Sequence, residues 1–152
     1  MAPGKRQSRI STLGAHVAVN YKEQDFVAEV QKFTDKRGVD VIIENVATDN
    51  LAKDLIALAP KGRIIVIGTG TGKAADAAFP VFPALFKDAS ALGMSLINAG
   101  AAIPEMAATL ARLFGEGKLK AVVSKSYSLA DARKAIADLM AARLFGKLVL
   151  TP

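Results

Sequence analysis

Three glycines at alternate positions, Gly68, Gly70 and Gly72, follow an apolar run and precede Lys73 in the stretch IIVIGTGTGKAADAAFP, from Ile64 to Pro80. Glycine has no Cβ, so such a loop passes close to a ligand and offers it backbone N–H and C=O groups. Loops of this composition bind phosphates and nucleotides. A P-loop needs a glycine five residues before the Gly-Lys pair and Ser or Thr after it, and Ile67 and Ala74 hold those positions instead. Gly70, Gly72 and Ala75 satisfy G-x-G-x-x-A, but the dinucleotide fingerprint opens a helix within the first βαβ unit, and this stretch reaches Pro80 and Pro83 without a helical pattern. A glycine loop that holds no ligand remains the alternative.

The other reactive residue types are few. Cysteine is absent and His16 is the single histidine, which removes disulfides, thiol nucleophiles, cysteine-ligated zinc and a histidine-based triad together. The formal net charge of +6 gathers partly in Lys5, Arg6 and Arg9, while later lysines and arginines are interleaved with Asp and Glu and aromatics make up only 6%. That distribution fits a solvated basic surface or a site for a phosphorylated small molecule rather than nucleic acid. A chain of 152 residues, 51% hydrophobic, predicts one core and one domain over 1–152. The basic start MAPGKRQSRI lacks the apolar stretch of a secretory signal, and no eighteen-residue apolar run occurs, so the expectation is a soluble cytoplasmic protein without a membrane partner.

The elements that must position the loop alternate between two periods. HVAVNY (His16–Tyr21) reads as a short strand, and Phe26, Val27, Val30 and Phe33 have helical spacing closed by Gly38. VDVIIENV (Val39–Val46) is apolar enough for a parallel strand covered on both faces. Thr48 or Asp49 then caps a helix to about Ala59, stopped at Pro60. GRIIVIG (Gly62–Gly68) and ALGMSLI (Ala91–Ile97) are further strands, with a short helical turn in PVFPALFKD between them. A helix after Pro104, an extended AVVSKSYSL, an amphipathic helix carrying Ala132, Ile136, Leu139 and Met140, and a last strand GKLVLTP complete the pattern. Strands alternating with helices predict an α/β fold with a mostly parallel sheet.

From Arg6 onward the chain resembles the C-terminal half of the medium-chain dehydrogenase/reductase superfamily, in its zinc-independent, zeta-crystallin-like NADPH:quinone oxidoreductase branch. The resemblance rests on LGAHVAVNYKEQDF, GVDVIIENV, KGRIIVIGTGTG, LFKDASALGMSL, GEGKLKAVVSKSYSLADARKAIADL and the terminal GKLVLTP, in that order. It implies a partial Rossmann-like parallel sheet with flanking helices, lacking the first two strands, the glycine fingerprint and the catalytic domain. It also implies a cofactor, NADP with NAD as the alternative, and a set of residues around it. Gly68, Thr69 and Gly70 would line the nicotinamide ribose, with Val46 and Ala47, where relatives usually have Val-Gly, beside them. Tyr21 would contact the adenosine side, Arg6 the 2′-phosphate through its forked donors, and Lys147 the cofactor. Lys73 becomes a surface residue, His16 a strand residue at the surface, and Glu44 a strand-end carboxylate with a capping or functional role.

Two functions of different class follow. The first is hydride transfer from NADPH to a quinone or activated alkene by the oxidoreductase of which this chain would be a cofactor-domain fragment, inactive alone. The second is a non-catalytic binding or oligomerisation domain derived from such an enzyme. The resemblance further implies a homodimer through the Ala91–Ile97 strand edge, and an association-prone ladder edge on VDVIIENV.

Overall fold

The computed structural model describes residues 9–70, 76–141 and 144–152. They form two compact units, Val17–Gly100 and a second built from residues up to His16 together with Ala101–Pro152. Both are α/β with parallel strands, the class expected from the alternating pattern. Among the described residues no helix is long and apolar enough to cross a membrane.

The Val17–Gly100 unit is a three-stranded parallel sheet, β1 (Val39–Glu44), β2 (Leu58–Val66) and β3 (Ser90–Gly93), in that spatial order. Helix α1 (Phe26–Phe33) precedes β1, α2 (Ala47–Ala57) crosses from β1 to β2, α3 (Val81–Phe86) from β2 to β3, and α4 (Leu96–Ala99) follows. The Asp25 side chain accepts the Val27 N–H at 3.1 Å and so caps α1. The core is Leu55 of α2, Leu58 and Ile64 of β2 and Ala84 of α3, against which Ile42, Leu51, Val66 and Ala89 pack. Leu51 and Leu55 lie one helical turn apart, which is why one face of α2 reaches the sheet.

Four sequence expectations change. HVAVNY is not a strand: it runs as extended chain outside the three-stranded order β1-β2-β3. VDVIIENV is covered on one face only, since Val41 is 43% and Ile43 is 70% exposed. ALGMSLI is a strand only to Gly93, where pairing with β2 ends; Ser95 then accepts the Ile97 N–H and turns Leu96–Ala99 into α4. Pro60 lies inside β2 rather than ending α2, in a bulge where Lys61 takes a φ of 62° and the register jumps from Val39↔Leu58 to Val41↔Arg63.

The C-terminal end of α2 is held from outside. Lys87, the residue that follows α3, donates from Nζ to the carbonyls of Leu55, Ile56 and Leu58 at 3.0, 2.6 and 2.5 Å. These are carbonyls that a helix end leaves without partners, and a cation there also meets the negative end of the helix dipole.

The second unit has α5 (Ile103–Gly115), β4 (Val123–Ser128), α6 (Ala132–Met140) and β5 (Lys147–Thr151), with β4 and β5 parallel across the α6 crossover. Buried Tyr127 donates its hydroxyl to Asp138 of α6, and Lys125 Nζ reaches the same carboxylate at 3.2 Å while lying 4.6 Å from the Tyr127 ring centroid. This fastens α6 onto β4.

Lys87→Met keeps most of the stem and removes the charge, leaving three carbonyls without their donor. It is expected to lower stability in urea unfolding by about 1–3 kcal/mol, whereas Lys53→Met on the exposed side of α2 changes it by less than about 0.5 kcal/mol.

Candidate functional site

Strands β1 and β2 run side by side in the same direction, with Ile42↔Ile64, Ile43↔Ile65 and Glu44↔Val66 in register. Their carboxyl ends therefore leave the sheet at one edge, and the chain beyond each is drawn to the other. The Ile67 N–H donates to the Glu44 carbonyl at 2.8 Å, the Ala47 N–H to the Gly68 carbonyl at 3.3 Å and the Thr48 N–H to the Thr69 carbonyl at 3.2 Å. The Thr48 hydroxyl adds a 2.7 Å bond to the same Thr69 carbonyl, and Val46 and Thr69 form an isolated antiparallel bridge.

Two glycines permit this clamp. A Cβ on Gly68 would collide with the side-chain oxygen of Asn45 and stand 2.7 Å from its carbonyl oxygen. At Gly70 the φ is +103°, and a Cβ would stand 2.8 Å from Val46 Cγ1. The sequence suggested glycine for close approach to a ligand. The structure gives a reason within the chain itself, because the space a Cβ would take is filled by the other loop.

Val46, Ala47, Gly68, Thr69 and Gly70 are thus brought together at the carboxyl edge of a parallel sheet, the edge where open α/β sheets carry their ligand crevices. Tyr21 is 77% exposed at the tip of a turn before α1, in which the Glu23 and Gln24 N–H groups donate to the Asn20 carbonyl. Lys147 opens β5 in the other unit, exposed, its N–H donating to the Val122 carbonyl at 2.8 Å. Arg6, and with it Gly72 and Lys73, lies outside the described residues.

Behind the clamp sits a pair of acids of which the sequence singles out only Glu44. Glu44 is buried, and its carboxylate accepts the Val46 N–H and, at 3.3 Å, the side-chain amide of Asn50. The start of α2 is held in this way and not by Thr48 or Asp49; Val46 is its N-cap residue and provides no side-chain cap. One helical turn beyond Asn50, Asp54 is 2% exposed, and its Oδ2 has no hydrogen-bond partner. Burial, then the charge of Glu44 and a hydrogen bond with it, push the Asp54 carboxyl from its ordinary 3.8 up to about 7. Both acids belong to the wall of a cleft of about 320 Å³, whose remaining lining includes Phe26, Val30, Val39, Val41 and Ile42. The signal for Asp54 is present in LAKDLIAL, an acid set between Leu51 and Leu58 on the apolar side of a helix.

Comparison with known proteins places the chain. A family model described as zinc-binding dehydrogenase matches residues 13–150. Human quinone oxidoreductase is 32% identical over 126 residues, an overlap of 80% of this chain and 36% of that protein. The 2-haloacrylate reductase of a Burkholderia species is 31% identical over 144 residues, 92% of this chain and 43% of that enzyme. A solved quinone oxidoreductase from Pseudomonas syringae superposes with a TM-score of 0.80 at 26% identity, over 99% of this chain and 47% of that one. The chain thus spans about two fifths of the curated relatives. The zinc in the family description finds no fitting ligands here, because the sequence has no cysteine and one histidine, and no cluster of three His, Asp or Glu occurs among the described residues.

The raised Asp54 carboxyl fixes the sign of a pH effect. Between about 4 and about 7 the folded chain keeps a proton that the unfolded chain has released, so stability falls as pH rises through that window and the full cost is present above it. Asp54→Asn removes this ionisation. It is expected to raise stability at pH 8 by about 2–4 kcal/mol, each tenfold change in proton affinity being worth roughly 1.4 kcal/mol, and to change it by less than about 1 kcal/mol at pH 4, as read by urea unfolding at the two pH values.

Proposed function

The chain belongs to the zinc-binding dehydrogenase family of the medium-chain dehydrogenase/reductase superfamily, and from that premise we propose that it supplies the nicotinamide end of an NADPH-dependent quinone or activated-alkene reductase. The observation that carries this reading is the clamp of Val46–Thr48 on Gly68–Thr69 at the shared carboxyl edge of β1 and β2. The similarity to a quinone oxidoreductase and to a reductase of haloacrylates supports an electron-poor acceptor.

In this reading NADPH, when bound, supplies a hydride to the acceptor, which also takes a proton from solvent, leaving NADP. Val46, Ala47, Gly68, Thr69 and Gly70 form the wall against the nicotinamide and its ribose, and hold it at a fixed height and tilt. The clamp gives that wall its rigidity, since each loop is the other's hydrogen-bond partner. Tyr21 contacts the adenosine side, Arg6 the 2′-phosphate, and Lys147 the cofactor from the terminal strand; NAD is the alternative where the 2′-phosphate contact is not made. None of these residues is a proton donor to the substrate, so no general acid is assigned.

We also place the homodimer contact at β3, with the strand edge ending at Gly93 rather than Ile97. Beside it the exposed face of α3 presents Phe82, Leu85 and Phe86, at 74%, 74% and 79% exposure, which favours burial against a second copy. This face is the specific support for the second reading, a cytoplasmic oligomerisation domain that turns nothing over.

Titration of the full chain with NADPH, followed by nicotinamide fluorescence and then by oxidation with a simple quinone or 2-haloacrylate, separates the two. Enhanced fluorescence with saturation is the expected result, and turnover would exclude the non-catalytic reading. A flat titration up to millimolar NADPH, with a dimer in sedimentation, would overturn the cofactor assignment in favour of the oligomerisation domain.

A further inference from the structure

We propose that Asn45 is a cofactor-binding residue of the clamp, its side-chain amide donating to an acceptor oxygen on the nicotinamide half of the cofactor, either the carboxamide carbonyl or a ribose hydroxyl. The inference rests on the cofactor-wall reading and adds to it one specific hydrogen bond.

The wall spends much of its backbone polarity on itself. The Glu44 carbonyl accepts the Ile67 N–H, the Gly68 carbonyl the Ala47 N–H, and the Thr69 carbonyl both the N–H and the hydroxyl of Thr48. The Val46 N–H is taken by the Glu44 carboxylate. A ligand laid against these groups meets partners already paired, so polar recognition passes to side chains.

Asn45 stands in the middle of these contacts. Successive residues at a strand end turn to opposite sides, and here Glu44 is buried while Asn45 is exposed. The side-chain oxygen of Asn45 and its carbonyl oxygen both occupy the space that a Cβ on Gly68 would take. Gly68 therefore seats the carboxamide as well as admitting the loop. The two prongs of a carboxamide point apart, so with Oδ1 against Gly68 the Nδ2 group is turned away from it. Among the described residues Nδ2 has no hydrogen-bond partner. What Asn45 presents is thus two N–H donors and no acceptor, held in one orientation by a glycine of the other loop.

The surrounding charge narrows the acceptor. Residues 45–50 and 67–70 include no Lys, Arg or His, and Asp49 is an acid. A phosphate oxygen would meet no cation there, whereas an uncharged carbonyl or hydroxyl oxygen accepts from Asn45 without a charge to balance. The nicotinamide half of the cofactor offers such oxygens, and its phosphates lie on the other half.

The full chain and Asn45→Ala, titrated with NADPH and with adenosine 2′,5′-bisphosphate, which lacks the nicotinamide and its ribose, test the assignment. The substitution is expected to weaken NADPH about fivefold and to leave the bisphosphate within about twofold. With 2′-phospho-ADP-ribose, which keeps the ribose and lacks the ring, a retained loss assigns the ribose hydroxyl and an abolished one the carboxamide carbonyl. In the unmodified chain the Asn45 side-chain amide resonances are expected to shift with NADPH and to stay in place with the bisphosphate. Equal weakening of NADPH and bisphosphate, or Asn45 side-chain resonances unmoved while the backbone amides of Val46, Ala47 and Gly68 shift, overturns the role of Asn45 and leaves the wall standing. Saturation with NADPH that moves neither set overturns the wall reading and this inference with it.

Discussion

The candidate site depends on one constraint, the hydrogen-bonded contact of Val46–Thr48 with Gly68–Thr69. A parallel pair of strands delivers two chain ends to the same edge but leaves their loops free to diverge, and here two backbone bonds and a threonine hydroxyl prevent that. The contact is close because Gly68 and Gly70 lack side chains where Asn45 and Val46 press against them. Without it, β1 and β2 would still pair, yet the edge would present two separate loops rather than one wall.

The clamp is held from below by the same helix at both ends. Glu44 and Asn50 secure the start of α2, Lys87 secures its end, and Leu51 and Leu55 anchor it to the sheet through the core. A threonine or aspartate cap would serve helix stability alone. The Glu44 carboxylate instead couples the helix start to the loop, through Asn50 on one side and the Val46 N–H on the other.

Much of this is legible in the sequence for local reasons. The apolar runs of β1 and β2, the helical spacing of α1, α2 and α6, and the glycine loop are written in residue type and period. What is not legible depends on pairing. HVAVNY has the composition of a strand, but composition cannot say whether the segment joins a ladder, and it is not part of either sheet among the described residues. ALGMSLI reads as one strand until Ser95 captures the Ile97 amide, a local capping bond that outcompetes the ladder once the β2 partner ends. The reason for Gly68 and Gly70 is also hidden, because the residues that exclude a Cβ lie more than twenty positions away in the chain. An acid on the apolar side of a helix, as at Asp54, is a visible anomaly, but that it shares a cleft wall with Glu44 follows only from the fold.

The most direct test of the wall is to record the backbone amide spectrum of the labelled chain as NADPH is added to saturation. If the clamp faces the nicotinamide, the largest shifts fall on Val46, Ala47, Gly68, Thr69 and Gly70 together, with a common binding curve. Saturating shifts elsewhere, with those five amides unmoved, would contradict it.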